Sequence, residues 1–215
     1  MKKVMITFWA CLIACSSSAQ KWSTVSIDSV VSVQLPKGYE KTDTTNQIQL
    51  LALTGLGTIM ILKSDDNPKE IPDIEKDRHL EKYYKKYIKS ISKSSGSGNI
   101  MNEKSALLGA LEVKDFTLQV DSGSGKQYRD FRIMHANGAT YVFQFLYDYL
   151  QEELVKPEKL KFFNSIKVNE TIERQDQYTS LNTKKSNAIK PGWLIGGGAI
   201  LLAIILFIIL KRRRT

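Results

Sequence analysis

Cysteine is almost missing from this chain. The two that occur, Cys11 and Cys15, both lie in an N-terminal apolar stretch. The rest of the protein therefore has no disulfide, no thiol nucleophile and no cysteine–zinc site, and its stability rests on packing alone. Histidine is nearly as scarce. His79 and His135 are the only two, and neither stands in a metal-spaced cluster. No phosphate loop is present either. Gly123-Ser124-Gly125-Lys126 hints at one, but Val120 stands where the Walker pattern needs glycine and Gln127 where it needs serine or threonine. The acidic run Asp65-Asp66-Asn67 with Glu70 and Asp73 lacks EF-hand spacing and reads as a solvated loop capping the next helix. No cofactor is implied.

Long apolar runs are also few, and the two present sit at the ends. Met1-Lys2-Lys3 precedes the apolar run Val4–Ala14, which gives way to Ser16-Ser17-Ser18-Ala19-Gln20. That order is the order of a secretory signal peptide over residues 1–20, in a bacterial style. Cleavage after Ala19 or Gln20 is one reading. Leu12-Ile13-Ala14-Cys15 also resembles a lipobox, which would make Cys15 the site of lipidation. At the other end, Trp193–Leu210 carries no charged or strongly polar side chain. As a helix it is about 27 Å long, close to the hydrocarbon thickness. Trp193 suits the outer interface, and Lys211, Arg212, Arg213 and Arg214 suit the cytoplasmic side. The expected topology is a single pass, with the domain outside the cytoplasm at the bacterial inner membrane. Pro191-Gly192-Trp193 and the following glycines also leave open a C-terminal sorting signal, although no Leu-Pro-x-Thr-Gly motif occurs.

The net charge of +9 suggests nucleic acid until it is placed. Lys2, Lys3 and the four basic tail residues belong to the ends. Removing those six leaves 25 basic residues against 22 acidic, a balance of +3. The exported domain therefore needs no polyanionic partner, and nucleic acid is not expected.

Between the ends, periodicity predicts an α+β domain over residues 21–168. Thr24–Ile27 and Val30–Leu35 read as a hairpin broken by Asp28-Ser29, and Pro36–Tyr39 as a turn. Gln47–Leu53 and Thr58–Lys63 read as a second pair of strands. A helix is expected from Pro72-Asp73 to Ser94, with Leu80, Tyr84, Tyr87 and Ile91 on one face and lysines on the others. His79 falls on this helix beside Glu75 and Lys82. Strands follow at Asn99–Glu103, Ala110–Val120, Gln127–Ala136 and Thr140–Tyr149. Asn137-Gly138 marks a type I′ hairpin, with His135 at the strand end beside it. Tyr141, Phe143, Phe145, Tyr147 and Tyr149 alternate, which predicts a central, core-bearing strand. A second helix is expected from Pro157 to Ile166, with Leu160, Phe163 and Ile166 inward. Residues 169–192 turn polar and read as a flexible stalk, followed by the membrane span 193–210 and the tail 211–215. Asn169-Glu170-Thr171 is a formal glycosylation sequon, relevant only in a eukaryotic host.

The opening element Val31-Ser32-Val33-Gln34-Leu35-Pro36-Lys37-Gly38-Tyr39, a helix, a meander and a closing Phe162-Phe163-Asn164-Ser165-Ile166-Lys167 form a familiar order. It resembles the PsbP-like α/β/α sandwich family over Ser23–Val168. The resemblance implies an antiparallel sheet flanked by helices, and a binding or assembly module rather than an enzyme. It carries over no site residue. The expected function is a membrane-anchored envelope protein with a non-catalytic domain that binds a protein or small ligand. The competing expectations are an enzyme whose site assembles only in three dimensions, and a surface protein processed at its C-terminus.

Overall fold

A computed structural model describes residues 20–67, 73–96, 98–121 and 125–179. In chain order the elements are β1 (Trp22–Ser26), β2 (Val31–Pro36), β3 (Glu40–Thr44), β4 (Gln47–Leu53), β5 (Gly57–Asp65), α1 (Asp77–Ser94), β6 (Asn99–Leu108), β7 (Leu111–Asp121), β8 (Lys126–Ala136), β9 (Ala139–Asp148), α2 (Glu152–Asn164) and β10 (Lys167–Val168). The 3-10 turns Tyr149–Gln151 and Arg174–Gln177 flank the last two elements. The signal segment with Cys15 and the apolar run Trp193–Leu210 with Lys211–Arg214 lie outside the described residues.

The strands form two antiparallel sheets. The larger has the order β3-β4-β5-β9-β8-β7-β6, and the smaller β1-β2-β10. Strand alternation gives the large sheet two apolar faces. Ile59 and Ile61 of β5, with Tyr141, Phe143, Phe145 and Tyr147 of β9, meet the small sheet and α2 in one core. Leu62, Phe116, Leu118, Phe131, Ile133 and Val142 on the other face meet α1 in a second. The layers are thus α1, the large sheet, then the small sheet with α2. β9 stands at the centre of the seven, as its aromatic content predicts. Asn137 and Gly138 adopt φ of 52° and 69°, the paired positive values of a type I′ turn. Lys37-Gly38 turns the chain after β2, with φ of 87° at Gly38.

Several sequence expectations shift. Tyr149 leaves the aromatic row, because the Asp148 carboxylate accepts a hydrogen bond from the Leu150 N–H and starts a 3-10 turn there. The first helix starts at Asp77, not at Pro72-Asp73. Ile74 is instead held against the C-terminal segment, donating to Thr179 Oγ1 and accepting from the Thr179 N–H. The Asp65–Asn67 run therefore caps no helix. The second helix starts five residues before Pro157, which sits inside it. Its phase is set by Val155 and Phe162, seven residues apart and so on one face. Phe162 packs against Phe145, while Leu160 is half exposed. Ile166 is buried as expected, just past the helix.

β3, β10 and the segment after β10 escaped prediction. β3, Glu-Lys-Thr-Asp-Thr, is exposed at every position. Residues 169–179, read as the start of a stalk, instead pack on the large sheet, and Gln177 has no exposed surface.

Candidate functional site

His135 carries the reactive chemistry the sequence made conspicuous. It lies at the end of β8 on the α1 side and has no exposed surface. Its Nε2 is 2.8 Å from Asp66 Oδ2, and its Nδ1 is 2.9 Å from the Gln177 carbonyl oxygen. Its backbone N–H donates to Tyr84 Oη, and the Tyr83 ring meets it edge-on at 5.5 Å. Tyr83 and Thr140 hydroxyls bond to each other at 2.6 Å. Burial pushes both tyrosine hydroxyls far above the ordinary phenol range.

This arrangement does unite His135 with a carboxylate, as an enzyme would need. A general base, however, must offer one nitrogen to the substrate proton. Here both nitrogens face acceptors inside the protein, and the ring meets no solvent. The neighbouring hydroxyls are protonated and engaged. The cluster works as a clasp on the C-terminal segment. Gln177 Oε1 accepts from the Glu112 N–H, and its Nε2 lies 2.9 Å from both the Glu112 and His135 carbonyls. Arg174 bridges Asp77 and Glu112, at 2.6 Å to each. Hydrogen bonds and ion pairs hold the Arg174 guanidinium well above its ordinary pKa against the opposing effect of burial.

The other histidine has no such setting. His79 is half-buried on α1, within 3.3 Å of Arg78 Nε and 3.5 Å of the Glu75 N–H. Lys82, expected as a neighbour, makes no bond to it among the described contacts. Gly125 and Lys126 lie at the β7–β8 hairpin, which joins strand to strand rather than strand to helix. Asp65 pairs with Lys63 at 3.1 Å. Among the described residues no three His, Cys, Asp or Glu side chains group as metal ligands.

Sequence reasoning missed three features. Asp130 gathers Thr117, Lys159 and Tyr147, which ties α2 to the sheet. Arg129 is buried with its Nε unpartnered, and Gln144 with its Nε2 unpartnered. Arginine and glutamine inside β-runs were the available signal. Third, one end of the domain exposes apolar side chains. Leu150 is 83% exposed and Leu154 66%, with Tyr149, Leu53 and Leu56 also open. The β4–β5 turn carrying Leu56 belongs to this end: Gly57 pairs with Tyr147, and Gly55 abuts Glu158 of α2.

The seven-stranded antiparallel sheet between a helix and a second layer has the fold of a PsbP-like sandwich. The solved cyanobacterial PsbP, CyanoP from Synechocystis, matches 72% of this chain and 96% of its own, with a TM-score of 0.51 at 11% identity. At that identity the likeness shows the fold alone. LpqN of Mycobacterium tuberculosis, described as involved in cell envelope biogenesis, matches 69% of this chain and 91% of its own, with a TM-score of 0.35 at 10% identity. A Bacteroides thetaiotaomicron structure reaches 0.39 at 8% identity, over 66% of this chain and 46% of its own. Neither of the last two carries weight. No protein-family model matches the sequence, and no curated protein does.

Proposed function

We propose that this protein is a single-pass, type I envelope protein whose PsbP-like domain is a non-catalytic binding module held outside the cytoplasm. Residues 1–20 serve as the export signal, 193–210 as the anchor and 211–215 as the cytoplasmic tail. The carrying observation is the exposed apolar end at Leu53, Leu56, Tyr149, Leu150 and Leu154. A soluble domain rarely leaves such residues open together unless they meet a partner.

The position of that end supports the reading. Thr179 bonds to Ile74, and Asp176 to the Asn137 N–H, at the β8–β9 hairpin. The chain therefore leaves the domain at that hairpin. β9 then runs ten residues to the apolar end, a distance of about 30 Å. The thirteen residues 180–192 reach at most about 45 Å before Trp193. The chain's exit and the apolar end thus lie at opposite ends of β9, which leaves the apolar end clear of the tether and open to another protein of the envelope.

A photo-crosslinker at position 150 or 154, in intact membranes, tests this. One reproducible protein adduct is expected, and a crosslinker on exposed Lys41 should not give it. Equal, scattered labelling from all three positions contradicts a docking end. Intact mass of the membrane-extracted chain tests the topology. A mature start at Gln20 or Lys21 with Lys211–Thr215 retained is expected. A diacylated Cys15 or a cut before Trp193 would overturn this pairing of cleaved signal and permanent anchor.

A further inference from the structure

Arg129 of β8 and Gln144 of β9 lie on the same face of the large sheet, the one α1 shares. Arg129 stands opposite Leu146, and Gln144 opposite Phe131, so the two are diagonal neighbours. On such a diagonal, long side chains reach one another. Arg129 is 5% exposed and Gln144 2%. Among the described residues, Arg129 Nε and Gln144 Nε2 are both buried without a hydrogen-bond partner.

Both atoms can only donate. Two adjacent buried donors therefore share one deficiency, an acceptor. Among the described residues Arg129 also has no counter-charge: burial lowers its pKa, and no described group opposes that shift. A guanidinium stays charged regardless, so the deficiency is of an anion. Two carboxylate oxygens, Asp66 Oδ1 and Glu158 Oε2, are also buried without a partner among the described residues. Asp66, however, bonds His135, six residues along β8, and Glu158 belongs to α2 on the other side of the sheet. Of its 22 acidic residues, only Glu70 lies outside the described segments. The surroundings are apolar. Leu118 stands opposite Arg129 on β7, and Met60 opposite Gln144 on β5, both buried.

We propose that Arg129 and Gln144 bind the carboxylate of a small organic acid with an apolar body. The guanidinium supplies charge and the amide a second donor, which together match the lone pairs of one carboxylate. Leu118, Phe131 and Met60 receive the apolar part. This site lies on the α1 face of the sheet, close to the apolar end but made of other residues, and goes beyond the docking role proposed for that end.

The test uses the full chain in lipid nanodiscs, with empty nanodiscs subtracted, titrated calorimetrically with benzoate, acetate, inorganic phosphate and neutral benzamide. Benzoate should bind and raise the unfolding midpoint. Acetate and phosphate should bind more weakly, and benzamide not at all. Arg129→Met should weaken benzoate by about tenfold to a hundredfold, the worth of a charged hydrogen bond. Arg129→Lys should weaken it less. Gln144→Leu, which keeps the charge, should weaken it about tenfold and carries the test if Arg129→Met does not fold. Absence of benzoate binding overturns the proposal, as does equal binding by wild type and Gln144→Leu. Binding that appears only in Glu70→Gln would assign the acceptor to the chain itself, and so also overturns the free-ligand site.

Discussion

Asp28 shows how one side chain can join three parts of this fold. Its Oδ1 accepts the N–H groups of Val30 and Val31, which fixes the β1–β2 turn. Its Oδ2 accepts from Tyr141 Oη at 2.6 Å and lies 3.2 Å from Lys63 Nζ, which ties that turn to the large sheet. Burial alone would raise the Asp28 pKa, but these donors together hold it below the ordinary carboxylate range. The group is therefore more acidic folded than unfolded. Its contribution is complete above its unfolded pKa of about 3.9 and drains as pH falls through the lower folded value. Asp28→Asn should cost about 2 kcal/mol at neutral pH. The gap between variant and wild type should narrow in urea melts run below about pH 4. The sequence marked Asp28-Ser29 as a break between strands. It held no sign of Tyr141 or Lys63, because those partners arrive only through the tertiary fold. Asn137-Gly138 was legible for the opposite reason: its backbone demand is local.

At the scale of elements, legibility followed apolar content. β2, β5 and β9 announce themselves through branched and aromatic residues on alternate positions. β3 has no apolar residue, so no period marks it, and its pairing with β4 alone makes it a strand. Pro157 misled by its usual place in the first helical turn. Here the helix already has five residues before it, entered from the Tyr149–Gln151 turn. The polar segment 169–179 misled most. It carries little apolar surface, yet Gln177 fills the role of a buried connector, with the donors and acceptors of Glu112 and His135 around it. The half of the candidate site built on His135 was thus visible as a residue but not as a cluster. Gln177→Ala should strand the Glu112 N–H and two carbonyls, at a cost of about 2–3 kcal/mol. It should also open the 169–179 segment to limited proteolysis at temperatures where the wild type resists. Unchanged melting and cleavage would contradict the clasp.

For the molecule as a whole, the sequence supported one sheet flanked by helices, whereas the chain makes two sheets and two cores. The difference arises because β2, paired with β1 on one side, pairs on the other with β10 from the far end of the domain, a contact no local pattern reveals. The layout also ranks stability. β9 is bonded on both sides and buried on both faces, whereas β3 and β6 are edges. Amide hydrogen exchange should find β9 opening only with global unfolding. β3 should exchange first among the strands, through local opening that costs far less. Protection of β3 equal to that of β9 would refute this order.

Those two edges matter once the domain is placed with its neighbours. β3 turns Glu40, Lys41 and Asp43 outward along its whole length. β6 is interrupted between Met101 and Lys104, where Asn102 takes a φ of 56°. A charged edge and a bulged edge both refuse an incoming strand. Confined to a surface, where lateral collisions are frequent, copies of this domain would slide past each other without zipping their large sheets into one. Association through the large sheet would then be left to side-chain contacts, and crowding alone would not extend that sheet from one copy to the next.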